Sequence, residues 1–152
     1  MILRTRCGPR RGATTVETAL VISITLLFMF GILEYGRLLF FLQVANSAAR
    51  EGARFAAVHT GDGTTQTQVQ NYVLAQLGSQ QNYLTGLTVN VYNADPTTGA
   101  AISGTNWNDA TFTGDVAVQI TGSYKLVASS FLGFSTPSFT FKATSLMNSE
   151  AN

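Results

Sequence analysis

The sequence predicts an α+β protein. A long N-terminal transmembrane or pilin-like helix is followed by a small module with one helix and a three- or four-stranded antiparallel sheet. Three observations lead there. First, no proline lies between Pro9 and Pro96, and the chain is apolar from Thr18 to Leu33 and again from Leu38 to Leu42, before an alanine-rich run to Ala57. Second, Val69, Tyr72, Val73, Leu74 and Leu77 recur at helical spacing. Third, Leu87, Val89 and Val91 alternate at the strand period, as do Val116, Val118 and Ile120, and Phe139, Phe141 and Ala143. Strands with helix available on one face make a layered α+β arrangement.

The 152 residues suit one modest domain plus an anchor. Net charge is +1, but it is unevenly placed: Arg4, Arg6, Arg10 and Arg11 precede the apolar run, and the remainder carries five basic and eight acidic residues. A nucleic-acid binder would gather its basic residues on the folded module. A basic head before an apolar run instead fits a membrane protein whose arginines stay cytoplasmic. The single cysteine, Cys7, excludes an internal disulfide.

The chain divides into a basic head over 1–12, a long helix over 13–59 and an extracytoplasmic α+β module over 60–152. A transmembrane segment occupies about 18–42. A secretory signal would end in a small-residue cleavage site after its apolar core, but here the run continues into the alanine segment. Thr18 to Leu33 spans about 24 Å at the helical rise, slightly short of a bilayer core. Counting through Leu42 gives ample length but places Glu34 and Arg37 within the apolar zone.

Residues 11–58 resemble the TadE-like family, minor pilins or pseudopilins of tight-adherence (Flp-type) pilus systems. Arg11-Gly12-Ala13, Val16-Glu17, Gly31 through Arg37 and Asn46 through Arg54 carry the resemblance in register. Thr18 stands where the family usually has an aromatic residue, and Ser23 near a frequent proline. The resemblance implies that residues 1–12 are a prepilin-type leader. A prepilin peptidase would cut after Gly12, leaving Ala13 as the new N-terminus and Glu17 as the fifth residue. It further implies partners in other pilin-like subunits and pilus assembly machinery, no nucleic acid, and a place in the inner membrane with the N-terminus cytoplasmic. A carboxylate deep in lipid costs at least about 2.5 kcal/mol. Near a helix N-terminus it is favoured, and a neighbour's new amine offers Glu17 a partner.

Glu34 and Arg37 are three apart and share a helix face. Two readings stand: an exposed pair at the outer membrane boundary, or a pair that meets another pilin-like helix. Ala45, Ala49, Ala53 and Ala57 fall four apart beside a second row of Ala48, Gly52 and Ala56, flanked by Arg50 and Arg54. Such adjacent small rows admit a close backbone, either from another subunit or from the chain's own module.

Within the module, 60–65 reads as a loop, Gly78 as a helix stop, Asn93 to Ala100 as a turn and Gly122 as the mark of a bulge. Ala128 to Phe134 reads as a helical turn or hydrophobic loop. Nothing points to catalysis, a cofactor or a metal. His59 is the single histidine and sits at a helix end, where the dipole explains it. Trp107 suits local packing. Three function classes follow: a pilus structural subunit, an anchored binding module unrelated to pili, and a tethered enzyme. The first accounts for the most residues.

Overall fold

The computed structural model describes residues 11–126 and 138–150. Helix α1 runs unbroken from Arg11 to Val58, 48 residues, about 72 Å at the helical rise. Its two halves differ in one respect. Residues 12–33 are exposed on every side. From Glu34 onward one stripe is covered: Glu34, Arg37 and Leu38 are half-buried, and Phe41, Ala45, Ala48, Ala49, Gly52, Ala53, Ala56 and Ala57 are buried. This is the three- and four-residue spacing of one helix face.

Helix α2, Gln66–Leu77, takes the bounds its periodicity predicts. Thr65 caps it. Its hydroxyl accepts from the Gln68 N–H while the Gln68 side chain accepts from the Thr65 N–H, so two end groups are satisfied reciprocally. Gly78, at φ +56°, stops the helix, a conformation glycine enters without strain. A 3-10 turn over Gly78–Tyr83 leads into the sheet.

Three antiparallel strands follow in the order β1 (Leu84–Ala94), β2 (Asp115–Lys125) and β3 (Ser138–Asn148). The register sets Val91 opposite Val118 and Ile120 opposite Ala143. The bulge expected at Gly122 belongs to the facing strand. Between Thr85 and Thr88 β1 carries an extra residue opposite Gly122, with Gly86 at φ +63°. The irregularity keeps Leu84 on the core face after a three-residue step to Leu87. A Cβ on Gly122 would lie 3.2 Å from the Phe141 ring and 3.3 Å from Leu87, so its glycine makes room for both.

The core lies between the sheet and the two helices. Val89, Val91, Val116, Val118, Ile120, Tyr124, Phe141 and Ala143 face the α1 ladder and Val69, Val73 and Leu77 of α2. Eleven-residue strands and the covered stretch of α1 are both about 36 Å long, so the sheet is matched to the helix. Phe139, expected in the core, is 46 % exposed. It occupies the core-facing phase opposite the buried Tyr124 but lies on β3, an edge strand of the sheet, among that strand's first residues. Trp107 is buried within a short 3-10 turn, Trp107–Asp109, which resolves the polar stretch from Ser103 to Gly114 as local packing. The expected helical turn at 128–134 lies outside the described residues.

Candidate assembly helix and its module interface

The expected processing residues sit on the bare part of α1. Gly12 begins the exposed face, and a Cβ there would touch nothing within 4 Å. The fold therefore places no steric demand for glycine at this position. Ala13 and Glu17 are likewise exposed. Within the apolar run, the hydroxyls of Thr18, Ser23 and Thr25 each donate to the carbonyl four residues earlier, at 2.8 Å. Each hydroxyl is thus satisfied inside the helix, which suits it to hydrocarbon. The two sites where this chain departs from the TadE-like pattern, Thr18 and Ser23, are both of this kind. One long apolar helix with a wholly unburied window is consistent with a single-pass anchor.

At Glu34 the environment changes. The Tyr124 hydroxyl donates to Glu34 Oε1 at 2.7 Å across 90 residues of sequence. The Arg37 guanidinium lies 5.7 Å from the Tyr83 ring centre and 5.8 Å from that of Tyr124, within cation–π range. Phe41 packs 5.0 Å from Tyr124 and 6.0 Å from Tyr83. The expected readings of Glu34 and Arg37 are an exposed pair at the membrane boundary or a pair that meets another helix. In the structure the chain's own module contributes Tyr124 to Glu34, and Tyr83 and Tyr124 to Arg37. Burial, the hydrogen bond to Glu34 and its charge together push the Tyr124 phenol up from 10.0 to about 12, against the pull of Arg37.

The apolar run and the module also share residues. Leu38, Phe41 and Leu42, counted by sequence with a span of about 18–42, pack against or within the module's core. The alanine ladder seats the same module. Ala45, Ala49 and Ala53 are buried, and a Cβ on Gly52 would overlap Val73 Cγ2 and fall 3.4 Å from Val118. Arg50, Glu51 and Arg54 lie on the exposed side of these turns.

At the far end of α1, the His59 ring donates from Nδ1 to the Phe55 carbonyl at 2.7 Å and stacks 4.1 Å from Phe55, which stacks in turn on Tyr72. This is the helix-end role its position suggests. A latch lies beside it. The hydroxyls of Thr60 and Ser149, both buried, meet at 2.6 Å, and the Glu150 N–H donates to the Ala57 carbonyl at 3.0 Å. One of the carbonyls that a helix end leaves unpaired is thus capped by the chain beyond β3.

Sequence reasoning missed Tyr124, Tyr83, Thr60 and Ser149 as interface residues. For Tyr124 a signal existed: a tyrosine in the buried phase of a strand needs a hydroxyl partner, and Glu34 was an unassigned acceptor. Among the described residues no group of three histidine, cysteine, aspartate or glutamate side chains is placed to hold a metal.

Residues 12–54 match the family model described as TadE-like protein, a little over a quarter of the chain. The similarity is confined to α1 and includes none of α2 or the sheet. No curated protein and no solved structure matches the chain.

Proposed function

We propose that the chain is a minor pilin or pseudopilin-like component of a tight-adherence pilus. In this reading a prepilin peptidase cuts between Gly12 and Ala13 on the cytoplasmic side. Residues 13–33 hold the product in the inner membrane with the module outside, and other pilin-like subunits take it up through Glu17 and the exposed side of α1. The observation that carries the reading is the division of one continuous helix. Its first 22 residues from Gly12 are exposed on every side, and its second half is covered on one face by the module. The TadE-like match supports this, since it begins at Gly12 and runs into the ladder.

The span is set at 13–33 because Phe41 and its neighbours are occupied by the core. Twenty-one residues rise about 31 Å, the thickness of a hydrocarbon core. Glu17 then lies within the first turns. There the helix dipole and a neighbouring subunit's new α-amino group stabilise its charge. With Ala45, Ala49, Gly52 and Ala53 taken by the module, Arg50, Glu51 and Arg54 remain for contacts between subunits. Mass spectrometry of the protein from cells with and without the cognate peptidase tests the reading. A mature start at Ala13 that requires the peptidase is the expected result, with Gly12→Val blocking the cut and Glu17→Ala allowing the cut but impairing incorporation. An intact leader in both strains, with piliation unaffected by loss of the gene, would sink the pilus assignment and leave an anchored module.

A further inference from the structure

The carboxylates of residues 60–150 gather at one end along the axis of α1, while Lys142 lies part-way along β3 and Arg50, Glu51 and Arg54 lie on the second half of the helix. Leu84 pairs with Tyr124, Lys125 pairs with Ser138, and Tyr124 reaches Glu34. One end of every strand therefore stands where α1 leaves its bare half. At the opposite end Asp115 pairs with Asn148 and Glu150 binds Ala57. Asp62, Asp95, Asp109, Asp115 and Glu150 all belong to that far end. Arg37 and Lys125 belong to the near end, where Glu34 is engaged by Tyr124. Exposed aromatics gather there too: Tyr35, Phe40, Tyr83 and Phe139. Phe40 and Tyr83 flank Phe41, while Phe139 is the cross-strand partner of Tyr124.

We propose that this near end is a lipid-docking surface for the anionic bilayer face from which α1 emerges. Two facts select lipid as the partner. The collar is continuous with the fully exposed apolar surface of residues 12–33, so whatever solvates that surface adjoins the collar. Tyr83 is level with Arg37 and Phe41 on α1, about 6–12 Å past Leu33 by helical rise, and the polar layer outside the hydrocarbon begins there. Aromatic rings with one wet edge collect at that depth. Charge complementarity selects anionic headgroups: Arg37 and Lys125 stand at the near end, and the carboxylates of residues 60–150, which outnumber Arg50 and Arg54, lie towards the other. Docking fixes the module's tilt on the membrane, which a bare helix alone does not.

The inference rests on α1 crossing the membrane, and the test separates the two. The full chain, with Cys7→Ser, carries one fluorophore at Tyr83→Cys, at Phe112→Cys on the far end, or at Leu27→Cys in the span. Each variant is reconstituted into phosphatidylcholine vesicles and into phosphatidylcholine–phosphatidylglycerol vesicles, containing nitroxide lipids labelled at the headgroup or in the acyl chain. Headgroup quenching several-fold stronger at position 83 than at 112, greater with phosphatidylglycerol and weakened by Lys125→Glu, is the expected result. Equal quenching at 83 and 112, with position 27 quenched by acyl-chain nitroxide, overturns the docking surface and leaves the anchor standing. Strong quenching at 83 that ignores both phosphatidylglycerol and Lys125→Glu overturns the anionic partner. A position 27 untouched by acyl-chain nitroxide overturns the anchor, and the docking surface with it.

Discussion

Tyr124 shows how one side chain joins α1 to the sheet. Its ring fills the core beneath Phe41 and its hydroxyl reaches Glu34. Tyr124→Phe keeps the packing but removes the donor to a carboxylate, a loss of roughly 1–3 kcal/mol, visible as a lower melting temperature of the full chain in detergent. The phenol's raised pKa has a definite sign. The neutral form is favoured in the folded state, so its contribution is fully present below pH 10 and lost as pH rises through about 12. Tyrosinate absorbance should show one phenol titrating well above the others, and Glu34→Gln should bring it down. At the acid side, backbone N–H groups of Thr98 and Thr97 hold the Asp95 carboxyl below 3.8. Its contribution is present above that value and lost as pH falls through the lowered pKa. Asp95→Ala should flatten the acid limb of the stability profile.

At the scale of elements, close approach of α1 to α2 and β2 depends on small side chains. Gly52→Ala adds a methyl against Val73, which is fully buried and branched. Overpacking of this kind costs about 1–3 kcal/mol, offset by about 1 kcal/mol of helix propensity, so a net loss of stability is expected. Val73→Ala in the same chain should recover part of it, which a propensity effect alone does not predict. Strand phase is tested by a pair. Val118→Asp buries an unpaired charge and should cost about 3–5 kcal/mol. Thr121→Asp faces Lys142 across the sheet and should be mild. Equal melting losses for the two variants would refute the assigned phase.

For the whole molecule, the second half of α1 is a wall of the module. Phe41, Ala45, Ala48, Ala49, Ala53 and Ala56 belong to the same core as Val116, Val118 and Ile120. A fragment of residues 60–152 removes that wall and exposes the core face of the sheet. It should be unfolded or aggregated by circular dichroism and amide-proton dispersion. A fragment of residues 34–152 keeps the wall and omits the bare helix, and should fold in water. A well-dispersed spectrum from 60–152 would show that the sheet and α2 suffice without α1.

Local information decided a good deal. The continuity of α1, the bounds of α2 and the alternation in all three strands follow from periodicity and from the absence of proline, properties of residues within a few positions of one another. The charge-free run from Thr18 to Leu33 was readable for the same reason, and Gly12 with Glu17 was readable as spacing. What the tertiary structure decided involves residues far apart in sequence. Spacing shows that Glu34 and Arg37 share a face, but Tyr124 lies 90 residues away and Ser149 lies 89 from Thr60. The sequence marked Gly122 as irregular, yet the extra residue is in β1, because a bulge belongs to a pair of strands. The alanine ladder likewise specifies close contact without specifying the occupant, since small residues admit any backbone. Only the folding of the sheet onto α1 determined that the occupant is this chain's own module and that the helix is exposed on every side only as far as Leu33.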